Sequence, residues 1–284
     1  MNWRIRRKVF WQAALNWRNE MALPNWEVGL IVYAPITVNG SVHLREPKGF
    51  SLPNPFQSDV RINTVSSGVQ VTATAYASNI QNARKVTQVF VGYMLDTLTL
   101  NVDLPLFLSY TQSQINRGEN FNERRIVTEL EWHNAFQEAR LLSLSEPTFL
   151  RALGWYRKGL YTEDIMDSFL AYWNAIEIVA GKYHPINDNT KKGVKSQIWE
   201  SFKLVWGDCG NWPIIAGQTK WIDQSYETRK DIAHGIQPIT IDFVENLIEK
   251  IPVIRKIAYQ FLTVWRASQL NPQVPPELQA QYGY

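Results

Sequence analysis

Five apolar residues between Ile165 and Val179 (Ile165, Phe169, Tyr172, Ile176 and Val179) follow one another at steps of four, three, four and three. That spacing returns each side chain to one face of a helix and cannot serve a strand, whose faces alternate at every residue. Met166, Leu170 and Trp173 form a second apolar row beside it, and Glu177 extends that row. The segment 162–181 is therefore expected to be a helix with two apolar rows, suited to a helical bundle or a seam between two copies. A carboxylate on an otherwise buried row requires a partner. Arg229 is the candidate partner, and such a pair would orient the arginine. The other reading is that Glu177 faces solvent.

Helical spacing governs everything around this segment, from Glu123 to about residue 270. Ile126, Leu130, His133, Phe136 and Leu141 fall on one helix, with His133 read as a core or edge residue. Pro147 suits the first turn of the next helix, which is expected to break at Gly159, with Arg151, Arg157 and Lys158 making one end basic. Residues 181–193 form a polar loop containing His184, followed by a helix through Val194, Ile198, Phe202 and Val205 that closes at Gly207. The last helix opens at Thr240–Asp242, and Pro252 is expected to kink or divide it.

Just before that helix lies Tyr226-Glu-Thr-Arg-Lys-Asp-Ile-Ala-His-Gly235. Gly235 stands where a helix C-terminal glycine belongs, and Pro238 lies where the helix cannot continue. His234 is thus at or near the end of a helix over about 219–234, where the carbonyl end favours a cation. Arg229 and His234 are about 7.5 Å apart along such a helix and roughly 140° apart around it. They do not naturally converge on one atom, which leans toward a site shared across a symmetric dimer.

The first half has a different period. Val28–Tyr33 is a short β-rich run, Asn39-Gly40 is a hairpin turn, and residues 47–58, with three prolines, form a loop. Val69–Tyr76 alternates cleanly, Asn79 can cap a helix carrying Ala83, Val86, Phe90, Tyr93, Met94 and Leu98, and Leu98–Leu104 alternates again as a strand. The fold class is α+β: an N-terminal arm over 1–25, basic and aromatic; a small α/β-sheet domain over 26–110; a polar linker over 111–122; a helical bundle over 123–270; and a loose tail over 271–284.

Composition narrows the function only slightly. A formal charge of +3 neither compels nor excludes a polyanionic partner. The single cysteine, Cys209, rules out an internal disulfide, speaks against a cysteine-based metal site and fits a cytoplasmic setting. No run of eighteen apolar residues is present, so no membrane association is expected. Lys182, Lys191, Lys192 and Lys195 make the strongest local basic cluster; it is either a solvated loop or a contact for a phosphate backbone. The twelve tryptophans serve either core packing or base stacking.

Arg229-x-x-x-x-His234-Gly235, preceded by the Tyr161–Gly181 helix with its aromatic-Asn-Ala-x-Glu segment, resembles the HEPN superfamily, and more narrowly the Apea-like HEPN proteins. The likeness covers roughly residues 118–268. It implies a HEPN-like bundle and a metal-independent endoribonuclease, with no cofactor and no metal. The reaction would be attack of an RNA 2′-hydroxyl on the adjacent phosphate, giving a 2′,3′-cyclic phosphate. Arg229 and His234 would be catalytic, with Glu177, Lys230 and Asp231 in support. Many active members have Asn, Asp or His directly after the arginine, where this chain has Lys230 and carries Asp231 one place later. The resemblance further implies a homodimer with a composite site, tRNA or other RNA as partner, a regulatory protein partner, and a role in phage defence or a toxin system. Its alternatives are a non-catalytic RNA- or nucleotide-binding protein and a dimeric accessory protein.

Overall fold

The computed structural model describes residues 25–45, 56–109 and 125–270, except 237 and 239. The expected arm, the linker and the C-terminal tail lie outside the described residues. The chain divides into two compact units. One comprises residues 1–92 and 107–133, the other 93–106 and 134–284. The polar stretch 111–122 suggests a boundary there, which would leave residues 93–106 with the sheet; the compact units place them with the bundle.

The first unit is built on an antiparallel sheet of five strands in the order β3-β4-β5-β1-β6. The strands are β1 (Asn25–Tyr33), β3 (Val42–Arg45), β4 (Phe56–Val65), β5 (Gly68–Tyr76) and β6 (Phe107–Leu108). Val28, Leu30 and Val32 pair with Ala73, Val71 and Val69, and the latter two oppose Ile62 and Thr64 of β4. Val60, Ile62 and the alternate residues of β1 and β5 are buried, so one face of the sheet carries the core. Two short strands, β2 (Ile36–Thr37) and β7 (Arg125–Ile126), pair in parallel separately.

Two expectations fail here. Asn39-Gly40 does turn, with Gly40 at φ 82°, but it joins β2 to β3, which belong to different sheets. The hairpin is at Ser66-Ser67, between β4 and β5. There Gly68 has φ 140°, and a Cβ would stand 2.2 Å from the Val32 carbonyl oxygen, so only glycine fits. The expected strand at 98–104 is the end of a helix, α1 (Ile80–Val102). Thr97, Leu98, Thr99 and Leu100 are all buried, so the amphipathic signature vanishes. Thr99 donates its hydroxyl to the Leu95 carbonyl at 2.7 Å, keeping a β-favouring residue satisfied inside a helix. At the other end of α1, Asn79 caps as expected, its Oδ1 accepting from Asn82 N–H at 2.9 Å.

The helix expected from Glu123 begins later, as α2 (Glu129–Ser145). Thr128 and Glu131 form a reciprocal capping box that fixes this start. Its buried face is Trp132, Ala135, Phe136, Ala139 and Leu142, leaving Leu130 and His133 exposed.

The second unit is a helical bundle centred on α4 (Ile165–Tyr183). It touches α3 (Pro147–Tyr161), α5 (Val194–Trp206), α6 (Trp221–His234) and α7 (Ile241–Ser268). Asp164 starts α4 by accepting from the N–H groups of Met166 and Asp167. Phe169, Tyr172, Ile176 and Val179 are buried as the stripe requires, beside Phe202, Trp212, Phe261 and Trp265. Each large apolar side chain taken out of water contributes about 1.5–3 kcal/mol. Gly159 does not break α3. A Cβ there would lie 2.6 Å from the Tyr172 ring, so the glycine lets α3 and α4 approach closely. Arg157 is not part of a basic end but is buried against Asp96 at 2.5 Å. Pro252 leaves α7 undivided; it is exposed, and the carbonyl it leaves free belongs to half-exposed Ile248.

Candidate functional site

Helix α6 is built to end at His234. Gly235 takes the left-handed conformation, with φ 59° and ψ 34°. The Ile236 N–H reaches the Asp231 carbonyl at 3.2 Å and the Gly235 N–H reaches Ile232 at 3.4 Å, the paired bonds of a Schellman motif. His234, the last helical residue, is exposed. One face of the helix packs through Trp221, Ile222 and Ser225, with Thr228 completing it. The rings of Trp221 and Tyr226 lie 6.5 and 6.3 Å from that of Trp173 on α4. This aromatic packing sets the rotation of α6 against α4.

That rotation brings Arg229 to Glu177. Trp173 donates its indole N–H to Glu177 Oε2 at 2.5 Å, and the same oxygen lies 3.8 Å from Arg229 Nε. The contact is an ion pair without a hydrogen bond, and Arg229 Nε is buried with no hydrogen-bond partner among the described residues. The Arg229 side chain as a whole is 27% exposed, so it is not sealed from solvent. Glu177 thus meets Trp173 and Arg229 while its side chain stays 24% exposed. A short approach of the two groups would make the bond, and an anion arriving at the guanidinium would meet a cation already held in place.

The other expected residues are scattered. Lys230 is bound to Glu227 along the same helix. Asp231 is half-buried, and its charge acts on Lys250 of α7. Lys195 pairs with Asp223 at 2.8 Å and lies over the Tyr226 ring, and the Asp223 hydrogen bond holds its ammonium above the usual range. Lys191 reaches Asp188 at 2.8 Å and Lys192 reaches Asn189 at 3.1 Å, both within their own loop. Lys182 is exposed at the last turn of α4. Two of the four ammonium groups are thus paired with local carboxylates, and a third donates to an uncharged amide oxygen. His184 Nδ1 lies 3.1 Å from the Pro185 carbonyl, and His43 pairs with Asp59 on the sheet.

Two features escape sequence reading. One is Trp173, whose bond to Glu177 is an i, i+4 pair hidden among apolar residues. The other is a groove of about 640 Å³ that includes Glu177. It is lined by Arg151 and Trp155 from α3, by Asn174 and Ile178 from α4, and by Val194. Its walls come from different helices, so no local pattern announces it.

Among the described residues, no helix is long and apolar enough to cross a membrane, and no three His, Cys, Asp or Glu side chains gather as a metal site would require. No protein-family model matches the chain, and neither a curated protein nor a solved structure matches it.

Proposed function

We propose that the chain is a metal-independent endoribonuclease whose site is completed by a second copy of itself. The observation that supports this most is the placing of two chemically apt residues on one helix. Arg229 is oriented by Glu177, and His234 stands exposed at a carbonyl-rich helix end five residues on. Along one helix they are about 7.5 Å apart and point in different directions, so a pair of copies facing each other supplies the convergence one copy lacks. Ile236, Ile241 and Ile248, each more than half exposed, follow His234 into α7 and give this end of the molecule an apolar surface fit for such pairing.

In this reading the ribose 2′-oxygen attacks phosphorus and the bond to the 5′-oxygen breaks. The products are a 2′,3′-cyclic phosphate and a free 5′-hydroxyl. The His234 imidazole takes the 2′-hydroxyl proton, and the departing 5′-oxygen takes its proton from water. Arg229 holds the non-bridging oxygens and offsets the charge that gathers on them. Lys230 and Asp231 flank the phosphate-binding arginine, and Lys182, Lys191, Lys192 and Lys195 are candidates for more distant backbone contacts.

The test is incubation of the purified chain with tRNA and a mixed-sequence RNA in EDTA, beside His234→Ala and Arg229→Ala. Cleavage by the parent alone, leaving cyclic-phosphate ends, is the expected result. Equal cleavage by parent and variants would overturn the assignment. The Glu177–Arg229 contact also favours a second reading, in which the arginine is a bundle staple in a non-catalytic RNA- or nucleotide-binding protein. Retained RNA binding without cleavage would select it.

A further inference from the structure

We infer that the groove between α3 and α4 is a binding site for a guanine base. The inference rests on the ribonuclease reading for its place in a reaction, but its chemistry stands on the groove alone.

The groove holds the parts a planar, polar ring needs. Trp155 is half-buried and presents a large aromatic surface, and Ile178, Val194 and Pro147 supply apolar contact. The Lys158 ammonium stands 5.1 Å from the Trp155 ring centroid, and exposed Arg151 is one helical turn before Trp155. Lys158 covers the ring face in the free chain and would give way to a base stacking there, and Arg151, which lines the groove, is the cation available to that nucleotide's phosphate. Asn174 is half-buried, and its amide has no hydrogen-bond partner among the described residues.

Glu177 gives the preference among bases. Its Oε2 accepts from Trp173, and Oε1 has no bond among the described residues. A carboxylate can only accept hydrogen bonds. Guanine alone among the four bases offers two adjacent donors on its Watson–Crick edge, N1–H and the exocyclic amine. Adenine and cytosine offer an amine beside an acceptor, and uracil one N–H between two carbonyls, so each would set a lone pair against the carboxylate. The Asn174 amide can serve guanine O6 as a donor. Reading an unstacked base by its Watson–Crick edge while an aromatic ring carries its face is the common mode for single-stranded RNA.

Glu177 thereby joins the groove to Arg229. A guanine seated on Oε1 would place its nucleotide beside the arginine proposed to hold the scissile phosphate.

Isothermal titration of the full chain with GMP, AMP, CMP and UMP tests the site without requiring cleavage. GMP is expected to bind at least about tenfold tighter than the other three, and Trp155→Ala and Asn174→Ala to weaken it about tenfold or more, the scale of a lost stacking contact. Equal affinity for all four nucleotides, or unchanged GMP binding in both variants with Tm preserved, would overturn the inference. A guanosine-containing tetranucleotide binding more tightly than GMP assigns the groove to RNA, whereas equal affinity assigns it to the free nucleotide; both uphold the guanine site. Guanine binding without cleavage in EDTA would leave the groove standing and remove the nuclease. Cleavage with no base preference and no GMP binding would do the reverse.

Discussion

Arg157 donates from Nε to Asp96 Oδ1 across 2.5 Å, with the two side chains only 7% and 8% exposed. Arg157 also gives Nη1–H to the Leu106 carbonyl at 3.0 Å, and a Cβ added to Gly154 would stand 3.0 Å from Asp96. Burial pushes the Asp96 carboxyl above its usual range, and the charge and hydrogen bond of Arg157 pull it back. The pair therefore does not make the bundle stable by itself; it is tolerable because each charge answers the other. Asp96→Ala or Arg157→Ala alone should cost about 3–5 kcal/mol, since either strands a buried charge. Arg157→Met combined with Asp96→Leu should recover most of that loss. Urea unfolding of the three variants checks this, and a double variant no better than the singles would refute the account.

Glu177→Gln probes the Arg229 arrangement, with cleavage measured at saturating RNA so that any lost base contact of Glu177 does not enter the rate. The amide oxygen can still accept from Trp173, so packing is retained, but the negative charge facing Arg229 is gone. If the carboxylate orients the arginine for catalysis, RNA cleavage should fall about tenfold, the value of one charge-assisted contact, with Tm nearly unchanged. If the pair is only a staple, Tm should fall and cleavage per folded molecule should not. Single-turnover rates beside thermal melts separate the outcomes.

What the sequence discloses depends on whether a contact is local. The α4 stripe, the Asn79 cap and the Gly235 helix end each rest on residues within a few positions of one another, and each is present. The C-terminal half of α1 was illegible because burial on every side erases periodicity and Thr97 and Thr99 argue for a strand. Gly159 misled for a related reason. Its absence of side chain serves Tyr172 on the next helix, and nothing near it in the chain says so. The residues alone leave two readings of Glu177 open, a pair with Arg229 or a solvent-facing carboxylate. Trp173, which aims the carboxylate, gave no signal apart from its i, i+4 spacing.

Lys250 carries a different kind of cost. Its Nζ donates to Thr228 Oγ1 at 2.9 Å, and no carboxylate pairs with it among the described residues. Burial lowers its ammonium below the usual 10.5, with only a more distant pull upward from Asp231. A lysine whose folded value is lowered loses stability when it is protonated. The penalty is thus fully present at neutral pH and is relieved as pH rises from the lowered value toward 10.5. Lys250→Met should therefore raise Tm at pH 7, and the gap between the melting curves of variant and parent should close toward pH 10. A variant less stable at pH 7 would show that the Thr228 bond outweighs the burial.

The proposed two-copy site makes its own demand on the surface beyond His234. Ile241 and Ile248 lie seven residues apart on α7, hence on one side of it, and both are more than half exposed. Neither supports the core of its own chain, so Ile248→Glu should leave Tm of the isolated bundle within about 2 °C, as surface substitutions usually do. A charge placed in an apolar contact between copies is costly to desolvate and has no partner there. Sedimentation should then show the parent as a dimer and Ile248→Glu as a monomer, and RNA cleavage should fall with the dimer fraction. Mixing His234→Ala with Arg229→Ala goes one step further. If each site draws its arginine from one copy and its histidine from the other, the mixed dimer regains one intact site of two. Recovered cleavage in the mixture would place the two residues in trans. A mixture as inactive as its components, with exchange of copies confirmed, would mean that each copy must supply both.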